Sequence, residues 1–556
     1  MDRRDCIYQA VIFLLLIVLP GLAPAFGQGG APPGGRPKIG LALSGGGARG
    51  LAHIGALKVI EELRIPVDYI AGTSMGSIVG GLYASGLSPG EIEKAILDID
   101  WDDLFTDRMK RTERTFRRKE DDGVQFFNFE LGLKGIRPVM SSGLVAGQKL
   151  ALAFDVDEIY TTDRQDFDDL KIPFRAVATD LDSGEMVVIG DGSLVHAVRA
   201  SMSIPGVFAP VHFQDRYLVD GGLVRNLPCD VVKDMGADIV IAVDVGALVE
   251  GQGEGTIQSL ADVSRQSFNI IIRETSRSVL GLADVYIPLG LEKISAADFQ
   301  KAASIMAEGE SATRGFTAEL SGYSASEADY AAFLEKHRHS EAKPVVIGSI
   351  ILNNLSRVED SEIERRVSIA PGDTLDRRQL RDDFLRLYEL GIFESVEHRL
   401  VDDGEGTDLL IEVREKFYSP NILNLGVDYI DDLDGRSDFA VLARYSRLEM
   451  NRFGGELRAD LRLGLSRGFR AGWYQPVEPT RTVFLAPFAE AVTSTRNIYS
   501  GDHKTSEYQT RYIGAGLDAG FQFGKFIELR VGFRQRRINT VVDVGEADLP
   551  EEWKSR

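Results

Sequence analysis

Ser74 stands at the centre of Gly72-Thr73-Ser74-Met75-Gly76. The residues before it, Val67-Asp68-Tyr69-Ile70-Ala71, predict a short strand, and Ser77-Ile78-Val79-Gly80-Gly81-Leu82-Tyr83 predict a helix after it. A G-x-S-x-G between strand and helix is a nucleophile elbow. Its turn is tight enough that glycine is needed on either side, and it lifts the serine hydroxyl out of the sheet. A serine held there needs a base and an oxyanion hole, so the segment predicts serine acyl hydrolysis.

An oxyanion hole is expected upstream. Lys38-Ile39-Gly40-Leu41-Ala42-Leu43 alternates like a strand, Ser44-Gly45-Gly46-Gly47-Ala48-Arg49-Gly50 follows, and Leu51 to Leu63 carries a helical apolar pattern. Gly45, Gly46 and Gly47 at a helix start leave backbone N–H groups open toward an anion, which a tetrahedral acyl intermediate is. A P-loop is disfavoured because no Lys-Ser/Thr pair follows the glycines. The glycine spacing fits a dinucleotide site only loosely.

The chain has seven histidines, His53, His196, His212, His337, His339, His398 and His503, and none has the setting of a triad base. His53 lies within the first helix and is expected to be packed. Asp220 instead follows the apolar Tyr217-Leu218-Val219 and precedes Gly221-Gly222. A carboxylate at a strand end in a glycine turn can meet a group on another strand end. Its ordinary pKa of about 4 matches a serine hydroxyl poorly, and burial together with an oxyanion hole closes part of that gap. Asp-Gly-Gly alone reads as an ordinary turn.

Together these segments resemble the patatin-like phospholipase family. The resemblance is carried by Gly45-Gly46-Gly47-Ala48-Arg49-Gly50, Gly72-Thr73-Ser74-Met75-Gly76, Ala200-Ser201-Met202-Ser203-Ile204-Pro205-Gly206 and Asp220-Gly221-Gly222, in the family's order. It covers about residues 37–320. It implies an α/β domain with a mostly parallel sheet flanked by helices, a Ser–Asp dyad with Ser74 as nucleophile and Asp220 as general base, and an oxyanion hole at Gly45, Gly46 and Gly47 with Arg49 adjacent. It implies no metal and no cofactor.

The elements around this domain suggest a larger machine. A chain of 556 residues fits three or four domains. A net charge of −21 argues against a nucleic-acid partner and against docking on anionic lipid through charge alone. Of the two cysteines, Cys6 and Cys229, the first falls in a leader, which leaves no intramolecular disulfide. Arg3 and Arg4, an apolar run from Val11 to Leu19 and Ala23-Pro24-Ala25 read as an export signal over residues 1–27. The run is too short to favour a membrane-spanning helix. A Gly/Pro-rich lead-in covers 28–36.

Beyond the hydrolase region, 321–343 is charged and reads as a solvated, partly helical linker. Residues 344–416 then predict a β-α-α-β-β module, with a strand at Val345 to Leu352, a short helix from Ser361, a helix capped by Asp376, and strands near 395–400 and 408–413. With Leu387-Tyr388-Glu389-Leu390-Gly391-Ile392-Phe393-Glu394-Ser395-Val396, it resembles a POTRA domain. From 417 to 556 the pattern has period two. Leu457, Ala459, Leu461, Leu463 and Leu465 alternate with Arg458, Asp460, Arg462 and Gly464, and Ile527, Leu529, Val531 and Phe533 with Glu528, Arg530, Gly532 and Arg534. That is the pattern of an outer-membrane β-barrel. A soluble β-sandwich shares the alternation, and the place after a POTRA-like module and an export signal tips the choice. Seven or eight strands are expected between Phe417 and Thr540, fewer than related barrels have, so the barrel reads as incomplete.

This order resembles the patatin-like autotransporters of type V-d secretion. The expectation is a lipid acyl hydrolase, of the phospholipase A or lysophospholipase type, exported through Sec and tethered to the bacterial outer membrane after passage through the barrel assembly machinery. Its hydrolase domain is expected at the cell surface or released, with homo-oligomerisation left open. The alternatives are an outer-membrane assembly or transport protein whose patatin-like domain mainly binds lipid, and a soluble esterase for small acyl esters.

Overall fold

The computed structural model describes residues 36–545 and 552–555, apart from 107–108, 113, 121–130, 136, 141–142, 144, 156–164, 247–258, 292, 339–343, 403–405, 432–436 and 501–502. The export signal and all but the last residue of the lead-in lie outside the described residues.

The N-terminal domain is built on an eight-stranded sheet ordered Val285–Pro288, Ile239–Asp244, Ile39–Leu43, Val67–Thr73, Phe174–Asp180, Arg216–Asp220, Val211–Phe213, with Met186–Ile189 paired to Phe174–Asp180. The first five are parallel. Ile39–Leu43 is buried at every residue, as a parallel strand with both faces covered must be. Ala52–Glu62, Met75–Ala84 and Ala302–Arg314 supply apolar residues to the larger core on one side, and Cys229–Asp234 to a smaller core on the other.

One strand sets the geometry that matters most. Phe174–Asp180 pairs with Val67–Thr73 as far as Thr73↔Val177, and with Arg216–Asp220 from Asp220↔Ala178. Met186–Ile189 occupies its other edge across Ala176 to Thr179. The parallel and antiparallel strands therefore lie on the same edge and meet end to end. The turn after Thr73 faces the last residue of Arg216–Asp220.

The segment read as a solvated linker is corrected by the structure. Glu327–His337 is a helix whose Tyr330 and Phe333 are buried in the hydrolase core. Arg338 donates to the Leu87 carbonyl at 3.2 Å. The charge run hides two aromatic anchors spaced i, i+3 on one helix face.

The middle module has the expected order. Strands Ile347–Leu355, Phe393–Asp402 and Thr407–Glu415 form a sheet with the third in the centre, and helices Asp360–Glu364 and Arg377–Tyr388 precede the second. Asp376 caps the longer helix by accepting from Arg378 and Gln379 N–H groups. Phe384, Leu387, Phe393, Val396 and Ile411 form a separate core.

The C-terminal region is a meander of antiparallel strands from Asn421–Asp431 to Glu552–Ser555. One face is apolar and uncovered: Ile513, Leu529, Val531 and Phe533 are 62–73% exposed. The other carries charge matched across the strands, with Arg444 on Asp460 at 2.5 Å and Arg536 on Glu490 at 2.7 Å. Among the described residues the sheet does not close on itself. At its Asn421–Asp431 edge the next strand is Leu131–Lys134 of the hydrolase, which forms a hairpin with Arg137–Met140. No described helix is long and apolar enough to cross a membrane.

The hydrolase and the middle module meet the same end of this sheet. Arg481, in the turn before Val483–Ser500, pairs with Glu362 of the module at 2.7 Å. Arg117 and Arg118 of the hydrolase both reach Glu456 of the sheet, at 3.1 and 2.7 Å, and Arg118 also donates to the Leu390 carbonyl of the module. The module's Val396 exchanges two hydrogen bonds with the Gln148 side chain of the hydrolase, at 2.6 and 3.0 Å. Next to it His196 meets the partly exposed Glu397 at 2.9 Å, and against the upward push of desolvation His196, Ser395 and Arg414 hold the Glu397 carboxyl at about 2.

Candidate active site

Ser74 is where the elbow turns. Its φ of 54° and ψ of −124° lie outside the regions ordinary L-residues adopt, a strain that persists only when neighbours hold it. A Cβ on Gly72 would stand 2.3 Å from the Gly76 carbonyl oxygen, and one on Gly76 2.4 Å from the Leu43 carbonyl oxygen. The elbow is thus pressed against the end of Ile39–Leu43.

Two residues of the 200–206 motif hold the elbow and its partner strand. The Ser201 hydroxyl accepts the Ser74 N–H at 2.9 Å, and the Ser203 carbonyl accepts the Asp220 N–H at 2.9 Å. Thr179 donates to the Asp220 carbonyl at 2.9 Å. Asp220 Oδ1 accepts the Gly222 N–H at 2.7 Å, and the Ser74 hydroxyl lies near enough to act on the same carboxylate. Asp220 is 3% exposed. Burial pushes its carboxyl up to about 6, and the Gly222 N–H and the nearby Ser74 hydroxyl oppose the shift.

The glycine loop is corrected in one respect. The Gly45 N–H is committed to the Asn226 carbonyl at 3.1 Å, so it cannot serve an oxyanion. Gly45 instead gives close approach, since a Cβ there would stand 3.1 Å from Ser74 Cβ. The N–H groups of Gly46 and Gly47 make no hydrogen bond among the described residues. They open the Gly47–Leu51 helical turn, where backbone donors have no intrahelical partner. Arg49 is 7% exposed and folds under the loop, with Nε 3.4 Å from the Gly46 carbonyl and its charge near Asp244.

Beneath the loop the Ser44 hydroxyl accepts the Val245 N–H at 2.9 Å, and Asp244 accepts from the Gly246 N–H and the Tyr286 hydroxyl. His53 is fully buried, with Nε2 2.8 Å from the Ser44 carbonyl. Burial drops its imidazole to about 4, so it is neutral and donates to that carbonyl. Its role is to brace the loop. His196 pairs with Glu397, His212 packs on Tyr217, His337 on Phe333 and His398 on Phe384.

Sequence reasoning placed Ser74, Asp220, Gly46 and Gly47, which the fold brings together. Ser201 and Ser203 gain roles that their motif does not declare, and Asn226 and Asp244 join the site without being expected from the sequence. The Asn-Leu-Pro after Asp220-Gly221-Gly222 was the available signal for Asn226. No group of three or more metal-ligating side chains clusters among the described residues.

Residues 41–233 match the family of patatin-like phospholipases, and residues 345–416 match the surface antigen variable number repeat, POTRA. Patatin-like phospholipase domain-containing protein 6 of Mus musculus is 35% identical over 211 residues, 38% of this chain and 14% of that protein. An uncharacterized NTE family protein of Mycobacterium tuberculosis is 33% identical over 241 residues, 43% of this chain and 57% of that protein. The match thus spans a seventh of the first relative's length and little over half of the second's. Among solved structures, BamA from Haemophilus ducreyi lacking POTRA domains 1–3 aligns over 36% of this chain and 37% of that one, at 15% identity and a TM-score of 0.29. A patatin-like α/β domain, a POTRA domain and an antiparallel sheet with an apolar uncovered face are joined in one polypeptide.

Proposed function

We propose that the N-terminal domain hydrolyses acyl esters of phospholipids through a Ser74–Asp220 dyad. The observation that carries this reading is the meeting of two strand ends on one edge of Phe174–Asp180, which sets the strained Ser74 elbow against the buried Asp220, with His53, His196, His212, His337 and His398 engaged elsewhere. Ionised Asp220 takes the Ser74 proton as Oγ attacks the ester carbonyl. The Gly46 and Gly47 N–H groups receive the oxyanion. Protonated Asp220 then returns the proton to the leaving alcohol, and a water repeats the sequence on the acyl-enzyme.

The sheet's uncovered apolar face and charged inner face support insertion into the bacterial outer membrane as part of a β-barrel, of the type V-d kind. The contacts of Arg117, Arg118, Gln148 and His196 support a hydrolase held on the POTRA side of that membrane rather than released at the surface. Phospholipid of the leaflet facing the POTRA domain is then the accessible substrate.

The test is fatty-acid release from phospholipid vesicles by the full chain in detergent, alongside Ser74→Ala, Asp220→Asn and the double variant. Each single change abolishes turnover, and the double is no worse, because the pair acts as a unit. Asp220→Asn within a few-fold of the parent points to another base and ends the dyad reading. Activity only on short-chain esters favours a small-ester esterase.

A further inference from the structure

Asn226 lies between the two glycine turns of the site and is 1% exposed. Its carbonyl takes the Gly45 N–H, and its side-chain Nδ2 donates to Ser276 Oγ at 3.2 Å. Its Oδ1 is buried without a hydrogen-bond partner. That atom lies 2.7 Å from where a Gly45 Cβ would stand and 3.3 Å from where a Gly222 Cβ would stand. The same two points lie 3.1 Å from Ser74 Cβ and 3.0 Å from Asp220 Oδ1 respectively. The orphaned end of the amide thus faces the space kept clear, by two missing side chains, beside the dyad.

A buried amide oxygen left unpaired is unfavourable. Turning the amide about its last torsion satisfies the oxygen, because the Ser276 hydroxyl can donate as well as accept, and moves the vacancy to the Nδ2 donor, which an oxyanion can fill. Ser276 then donates to Oδ1, and Nδ2 faces the dyad. We propose that Asn226 presents this amide N–H to the ester oxygen that becomes the oxyanion, as a third donor beside Gly46 and Gly47. The inference rests on Ser74 and Asp220 as the reacting pair. It makes Asn226 a catalytic residue with two separable parts: its carbonyl positions Gly45, and its side chain touches substrate.

The test is Asn226→Ala in the full chain, which keeps the carbonyl. With an ester substrate, kcat falls by about 10- to 1,000-fold while KM moves less than threefold, as loss of one oxyanion donor does. Binding of a trifluoromethyl ketone analogue, which mimics the tetrahedral adduct, weakens in step with kcat/KM, and the acid limb of the pH profile stays in place. Unchanged kcat overturns the proposal. So does a shifted acid limb with full kcat above it, which would mean that Asn226 acts through Asp220. If the alanine variant fails to fold, Asn226→Ser carries the same comparison. Ser74→Ala read in parallel separates the failures. Residual turnover there defeats the dyad itself, whereas a dead Ser74→Ala beside a fully active Asn226→Ala defeats only the third donor.

Discussion

The Ser201 hydroxyl accepts the backbone N–H of Ser74 at 2.9 Å and donates onward to the Val177 carbonyl at 2.6 Å. One hydroxyl thus ties the strained elbow to the strand that also carries Asp220 in register. Ser201→Ala leaves the Ser74 N–H buried and unpaired, a loss of about 1–3 kcal/mol of stability. Thermal unfolding shows the loss, and labelling of Ser74 by a fluorophosphonate slows because the elbow relaxes. Labelling at the parental rate in the folded variant would mean the elbow holds without this tie.

Asp220 must be ionised to accept a proton, and burial holds its carboxyl at about 6. The kcat/KM profile therefore falls on the acid side with a midpoint near that value. The stability effect has the opposite sense. A carboxyl raised in the folded state costs stability as pH rises from about 4 to 6, and the deficit is constant above. Asp220→Asn is therefore dead yet melts higher at neutral pH. The buried His53, lowered to about 4, costs stability as pH falls from 6.5 toward 4. In Asp220→Asn the opposing Asp220 contribution is gone, so the acid-side loss from His53 and the likewise lowered His337 is steeper in scans from pH 4 to 8.

A Cβ on Gly46 would stand 2.5 Å from Val245 Cγ2, with its next neighbour at 3.7 Å. Gly46→Ala should push the loop off Val245 and misplace the free N–H groups, and a donor displaced there costs about two orders of magnitude in kcat. Val245→Ala makes room, so the double variant recovers most of the loss. The interaction energy of the cycle, from kcat/KM of the four proteins, is the readout. Additive losses would show that the loop does not rest on Val245.

Glu456 is 4% exposed between Arg117 and Arg118. Glu456→Gln leaves two guanidinium groups facing an uncharged amide, and breaking a buried pair in this way costs about 3–5 kcal/mol. The expected result is weaker docking of the hydrolase on the sheet, seen as loss of a disulfide engineered between that segment and the sheet. Glu456→Lys with Arg117→Glu and Arg118→Glu restores the cross-link if the contact is electrostatic. An undiminished cross-link in Glu456→Gln would assign the docking to the Leu131–Met140 hairpin instead.

The chain order of elements is legible because each period is. The elbow glycines mark a strand–turn–helix, Asp376 caps its helix, and the alternation around Leu529 and Arg530 separates an apolar from a charged face. What is not legible is tertiary. Gly45 looks equivalent to Gly46 in sequence, and only the Asn226 carbonyl distinguishes them. Tyr330 and Phe333 are outnumbered by charge in their own segment, and burial overrides that local average. The glycines of the sheet's inner face read as blanks, whereas a Cβ on Gly516 or Gly520 would collide with the cross-strand rings of Phe488 or Phe484. The pairing of Leu131–Lys134 with Asn421–Asp431 has no local signature at all.

That last pairing bears on the order in which the molecule assembles. Elsewhere on the sheet, Glu120 meets Arg530 across 410 residues of sequence at 3.0 Å. Contacts of such separation form late, because the entropy of closing the intervening chain must be met before they reward it. The hydrolase core draws only on residues before Asn421–Asp431, from Ile39 to Phe333, so it is expected to be complete before this clasp closes. Chain synthesis therefore delivers a folded, Ser74-bearing domain well ahead of the sheet that fastens it. In refolding, hydrolytic competence returns in an earlier kinetic phase than protection of the Glu120–Arg530 contact.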